Sequence, residues 1–393
     1  MASRRGRSNH GRARPQRERN PQRSQPEYLY QNDTDPVFFE RLGKNRPSHH
    51  HWQLEVEVAR QSILLPTVFG VSIALAMTAA LTAERPVAKA AVAKKAAPRT
   101  AWGDPDLTGI WTGSTITPLE RPIELAGKEF LTEQEAADLE KRALAARADG
   151  PPPPGDPGTY NQIWFDPASK VVPSRRTSLI VEPRDGRIPF TAAGRAAQTR
   201  SRARYGKGPF DSWLDLDTGE RCITDGMPLY FSGYNNNYQF FQSPSEVVIL
   251  HELYHEPRVI YTDGRPHANI RRWLGDSRGR WEGNTLVVDT INFLPREGVE
   301  WQDAWRASRS TTHVVERFTR LDAETMEYQF TWEDPTMFVR PWTAGWPLTT
   351  NQASRGVTQG GLFEYACHEG NYAMTTVLEG ARAEEAHAGA LRR

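Results

Sequence analysis

Cysteine is scarce in this chain of 393 residues: Cys222 and Cys367, 145 positions apart, are the only two. A lone pair can close only one bridge, so an oxidising compartment predicts a Cys222–Cys367 disulfide, and a reducing one predicts two buried thiols. A charge surplus is missing as well, since 49 basic residues meet 48 acidic ones. No Gly-rich phosphate loop or dinucleotide fingerprint follows a strand-like segment, and no G-x-S-x-G elbow occurs. Nucleotide-dependent and serine-hydrolase classes therefore lose their support. Internal repeats are absent too, which speaks against a solenoid or propeller.

The balanced charge conceals a division along the chain. Residues 1–23 hold eight Arg and a single acid, Glu18, so the remainder carries about −6. That sign argues against a nucleic-acid partner for the folded part. Residues 1–61 are predicted to be a disordered basic leader, poor in the apolar surface that would offset ordering entropy. Residues 62–83 form an uncharged run long enough to span a bilayer. Ala88-Lys89-Ala90 behind it fits an A-x-A cleavage site. A cleaved signal peptide and a retained anchor both remain open, and both place the protein in the periplasm or outside the cell. Residues 84–100 are an Ala/Lys/Pro linker, 101–385 a single β-rich domain, and 386–393 a tail.

Within that domain the periodicity is mostly two. Residues 177–182, 246–254 and 258–262 are apolar runs ended by Pro or Asp-Gly, and 281–291 folds on Gly283-Asn284 as a hairpin. Residues 312–320 and 325–333 form another hairpin, with Met326, Tyr328, Phe330 and Trp332 on one face. A helix is predicted over 132–147, where Thr132 and Glu135 make a capping box, and a weaker one over 191–202. Strands recurring without alternating helices predict an antiparallel meander closing as a barrel, with one or two inserted helices. Eleven of the twelve Trp lie beyond residue 100 and serve either as core packing or as stacking platforms.

The sharpest motif is His251-Glu252-Leu253-Tyr254-His255, a literal H-E-x-x-H. On a helix its imidazoles would sit about 6 Å apart and could share a zinc ion with Glu252 as general base. On a strand they would be about 13 Å apart, too far for one ion. The preceding β-forming run predicts extended backbone, so His251 and His255 become cavity or structural histidines, and zinc stays as the alternative cofactor. Further cavity candidates are His267 and Arg271 after the Asp263-Gly264 turn, His313 and Arg317 on one face of a strand opposite Glu316, and His368 beside Cys367. Inward-facing groups of this kind would have shifted pKa values usable in acid–base chemistry; on a solvated face they would simply pair across strands. Tyr234, Asn235 and Asn237 combine amide groups with aromatic faces, suited to a sugar or aryl ligand and equally to a plain turn.

The blocks Gly275-Asp276-Ser277-Arg278-Gly279-Arg280-Trp281-Glu282-Gly283, His313-Val314-Val315-Glu316-Arg317-Phe318 and Tyr365-Ala366-Cys367-His368-Glu369-Gly370-Asn371-Tyr372, together with Asp106-Leu107-Thr108-Gly109-Ile110-Trp111, resemble a family of secreted bacterial proteins of uncharacterised activity. The resemblance covers roughly residues 102–385 and implies export and one domain. Gly109-Ile110-Trp111 is also similar to the G-x-W that opens the first strand of lipocalins, which implies a Trp plugging the closed end of a barrel. Three functional expectations follow: an exported small-molecule-binding barrel, with chemistry on an aromatic or glycosidic ligand as an extension; a zinc hydrolase on 251–255; or a cell-envelope structural module.

Overall fold

The computed structural model of the chain describes residues 97–146, 168–205, 207–231, 233–295 and 303–391. The expected leader, the hydrophobic segment 62–83 and most of the linker lie outside these residues. Arg99 already reaches the folded domain, donating to Asn284 Oδ1 at 2.8 Å.

In chain order the elements are β1 (Gly109–Thr112), α1 (Glu133–Ala146), β2 (Ile180–Glu182), α2 (Ala192–Arg204), β3 (Asn237–Gln242), β4 (Glu246–His251), β5 (Glu256–Tyr261), β6 (Asp276–Glu282), β7 (Thr285–Ile291), β8 (His313–Arg320), β9 (Thr325–Glu333), β10 (Trp342–Thr349) and α3 (Ala373–Leu391). Nine strands close in the order β1-β3-β4-β5-β6-β7-β8-β9-β10, with Thr112 of β1 opposite Thr349 of β10 as the seam, and β2 pairs onto β10. The protein is a mainly-β closed barrel with three helices.

Both helix starts follow from their sequence. Thr132 Oγ1 accepts from Glu135 N at 3.2 Å while Glu135 accepts from Thr132 N at 2.8 Å, completing the expected box ahead of α1. Thr191 caps α2 through Gly194 N at 2.9 Å. Gly283, at φ 62°, supplies the left-handed residue of the two-residue β6–β7 turn. One pair departs from the expected antiparallel meander. Strands β5 and β6 run parallel, with Ile260 opposite Ser277. The Asp263-Gly264 turn opens a crossover over residues 262–275, long enough to bring the chain back in the same direction. Helix α3 runs across the expected 385/386 boundary to Leu391. Among the described residues no helix is long and apolar enough to cross a membrane.

The pleat decides what enters the barrel. On β9, Met326, Tyr328, Phe330 and Trp332 are buried inside and their neighbours face outward. Trp342 and Trp346 of β10 join them, and Trp305, from the segment before β8, packs edge-on against Trp332 and Trp342. Trp111 is fully buried, its Nε1 donating to Leu107 O at 2.9 Å.

Candidate functional site

Alternation on β8 puts Glu316 inside the barrel and His313 and Arg317 outside. Inside, Glu316 forms a buried ion pair with Arg258 of β5 and accepts from Tyr328 Oη at 2.8 Å. The same hydroxyl accepts from Leu229 N at 3.1 Å, and Tyr238 Oη donates to Tyr230 O at 2.5 Å. Two tyrosines therefore fasten Leu229 and Tyr230 against the interior. Burial holds both phenols far above their usual range, so they stay neutral donors.

The expectation of extended backbone through residues 251–255 needs correction. His251 is the last residue of β4, and Leu253–His255 form a 3-10 turn leading into β5. Tyr254 and His255 sit at φ 63° and 47°, so the chain turns through the left-handed region instead of continuing as strand or helix. The strand ends because His251 pairs with Glu256 across a tight β4–β5 connection. His251 faces inward and His255 outward. Among the described residues no group of three or more His, Cys, Asp or Glu could hold a metal ion, and the zinc alternative gains no ligand set.

His251 stacks on Tyr238 with centroids 4.5 Å apart and keeps 8% exposure. Burial lowers its pKa to about 4, the nearby Asp225 charge opposing and the Arg306 charge adding to that shift. The imidazole is thus neutral near pH 7. Asp225 and Arg306 form a buried pair, Arg306 Nη2 donating to Asp225 Oδ2 at 2.8 Å. Burial alone would lower the Arg306 pKa, but the Asp225 carboxylate outweighs it and raises it.

Glu252 follows His251 and is buried at 1% exposure. It accepts from Asn237 N at 3.1 Å, Asn237 Nδ2 at 3.0 Å and Phe363 N at 2.8 Å. Burial raises its pKa, and these hydrogen bonds hold part of the shift back. Tyr234 stacks on Tyr365 at 6.2 Å, and Asn235, at φ 51°, contributes a side-chain hydrogen bond to Glu252. His255 Nδ1 accepts from Tyr365 N at 2.9 Å. Tyr234, Asn235, Asn237, His251 and His255 therefore gather at one end of the barrel.

The other candidates do not join them. His267 and His313 lie on the outer face of β6–β8, where both reach Asp289, at 2.9 and 3.0 Å. Arg317 pairs with Glu282 outside at 2.9 Å, and exposed Arg271 donates to Phe293 O at 3.0 Å. His368 is exposed next to the disulfide. That bond joins Cys222 and Cys367 with Cα atoms 5.6 Å apart, as their pairing in the sequence predicts.

Asp225, Arg306, Tyr238 and Arg258 escape sequence reasoning. The first two sit in irregular segments with no period to orient them, and Arg258 reads as an ordinary exposed residue beside Pro257. Comparison with protein-family models, curated proteins and solved structures found no match to this chain.

Proposed function

We propose that the protein is an exported small-molecule-binding β-barrel that takes a neutral aromatic or glycosidic ligand at the His251 end. His251 carries the proposal: a buried, neutral imidazole at the end of β4, lying flat against Tyr238. A neutral imidazole has one acceptor nitrogen and one N–H, so a ligand hydroxyl can donate to the first while a ligand acceptor takes the second. The local charges already cancel in pairs, Asp225 with Arg306 and Arg258 with Glu316. A charged ligand would lose its hydration with no counter-ion to receive it, which favours a neutral one. The partly exposed rings of Tyr234 and Tyr365 supply aromatic faces for an aryl group or a sugar. Export is supported by the disulfide, which suits an oxidising compartment, and by the hydrophobic segment at 62–83.

The test is a panel of phenols and aryl glycosides titrated into the full chain and followed by tryptophan fluorescence. Saturable one-to-one binding, weakened at least tenfold in His251→Phe, is expected, because Phe keeps the stack and loses both polar atoms.

A second reading draws on a different observation. The largest fully buried side chains are almost all aromatic, with five Trp among them. A barrel filled in this way suits a cell-envelope structural or interaction module with no small-molecule site. Absence of saturable binding across the panel would favour it.

A further inference from the structure

We propose that residues 359–367 form a tethered strap that opens to admit ligand to the His251 end of the barrel and closes again on Glu252 and His255. This rests on the reading of that end as a ligand site. Both ends of the strap are fixed. At one, buried Gln352 brackets the chain, its N–H donating to Gln359 Oε1 at 3.0 Å and its Oε1 accepting from Gly360 N at 2.6 Å. At the other, Cys367 is bonded covalently to Cys222, three residues before Asp225.

The middle is held at Phe363 and Tyr365. Phe363 N donates to Glu252 and Tyr365 N to His255, and the Tyr365 ring rests edge-on against Tyr254 with centroids 4.9 Å apart. The Phe363 side chain remains 64% exposed, so the strap buries little apolar surface of its own. Segments with few buried apolar contacts open locally at far lower free energy than the core.

What the strap covers follows from its latches. Both acceptors belong to residues 252–255, the turn that continues directly from His251. Glu252 is also bound by Asn237, next in sequence to Tyr238, the ring on which His251 stacks. Three non-glycine residues with left-handed backbone, Asn235, Tyr254 and His255, lie beneath or beside Tyr365. Such strained positions persist where the surroundings hold them and concentrate at ligand clamps. With the disulfide as a pivot, the freed strap cannot diffuse away, so closure stays intramolecular.

The experiment uses the oxidised full chain and needs no ligand, so failure to find one leaves this test intact. Diethylpyrocarbonate modification of His251 is timed by peptide mass at pH 7 and normalised to exposed His387. In the wild type His251 should react at least tenfold more slowly than His387. Cys222→Ser/Cys367→Ser should raise the His251 rate at least tenfold, and His255→Ala, which removes one latch and keeps the disulfide, at least threefold, with near-UV circular dichroism unchanged. If the double variant fails to fold, His255→Ala alone decides. A natively folded variant whose His251 rate equals that of the wild type overturns the proposal, as does a wild-type His251 as reactive as His387.

Discussion

Arg320 lays its guanidinium over the indole of Trp111, 4.4 Å from the ring centroid, and thereby joins the end of β8 to the first strand of the barrel. Trp111 is fully buried, and Arg320 is 4% exposed, its Nη2 donating to Ala323 O at 2.7 Å. A desolvated cation over an indole contributes about 2 kcal/mol, and the long aliphatic stem adds packing. Arg320→Met keeps the stem and removes the charge, so its urea midpoint should fall by the equivalent of about 1–2 kcal/mol. Arg320→Lys should recover only part of that loss, because an ammonium cannot stack as a planar guanidinium does. A lysine variant as stable as the wild type would show that the plane is irrelevant.

The pair inside the barrel behaves differently. Arg258 and Glu316 are both buried, and Tyr328 donates to the same carboxylate. Removing one partner strands a charge in the interior at a cost of about 3–5 kcal/mol, whereas replacing both with apolar residues of similar size is often neutral. Equilibrium denaturation should therefore rank Glu316→Leu well below Arg258→Met/Glu316→Leu. If the double variant is as unstable as the single one, the Tyr328 hydroxyl rather than the ion pair is what the interior requires.

These cases show what was legible in the sequence. The alternation of β8 separates Glu316 from His313 and Arg317, but the sequence offered the latter two as cavity residues, and the structure reverses that choice by turning Glu316 inward. The Gly283-Asn284 hairpin turn was legible directly. The Thr132–Glu135 capping box is an equally local signal, and the disulfide was legible because the chain offers only two cysteines to pair. Arg258 was hidden because its partner lies 58 positions away and closure of the barrel brings them together. Residues 251–255 misled because a β-forming run gives no warning that Tyr254 and His255 take left-handed backbone. That conformation is held by contacts with the distant segment 359–367, which no window around the motif contains. The parallel β5–β6 pair was missed for a related reason, since Asp-Gly marks a turn without saying how far the chain travels afterwards.

On the outer face, pH should modulate stability through Asp289. His313 is held above its ordinary pKa by its hydrogen bond to Asp289, which outweighs partial burial, and Asp289 is held below its own by His313. The raised histidine contributes fully below its unfolded value of about 6.5, and the contribution disappears as pH rises through the folded value. The depressed carboxylate contributes above about 3.9 and loses its share as pH falls through its folded value. Their joint effect is therefore largest between about pH 4 and 6.5. Melting curves of wild type and His313→Gln should lie furthest apart near pH 5.5 and converge toward pH 9. A gap independent of pH would mean that His313 acts by packing alone.

Tryptophans in the same core should also respond unequally to one substitution. Trp111 Nε1 donates to Leu107 O at 2.9 Å, whereas Trp332 Nε1 and Trp342 Nε1 have no hydrogen-bond partner among the described residues. Trp111→Phe loses part of the ring and leaves a buried carbonyl without its donor, which together cost about 2–4 kcal/mol. Trp332→Phe removes a similar volume but also removes an unsatisfied donor, whose burial itself costs about 1–3 kcal/mol. The two terms oppose each other, so the net loss should stay below about 1.5 kcal/mol. Chemical denaturation of the two variants compares them directly, since both start from fully buried indoles. Equal losses would mean that the Trp332 indole finds an acceptor in solution, a bound water being the simplest, and the difference between the sites would then lie in packing alone.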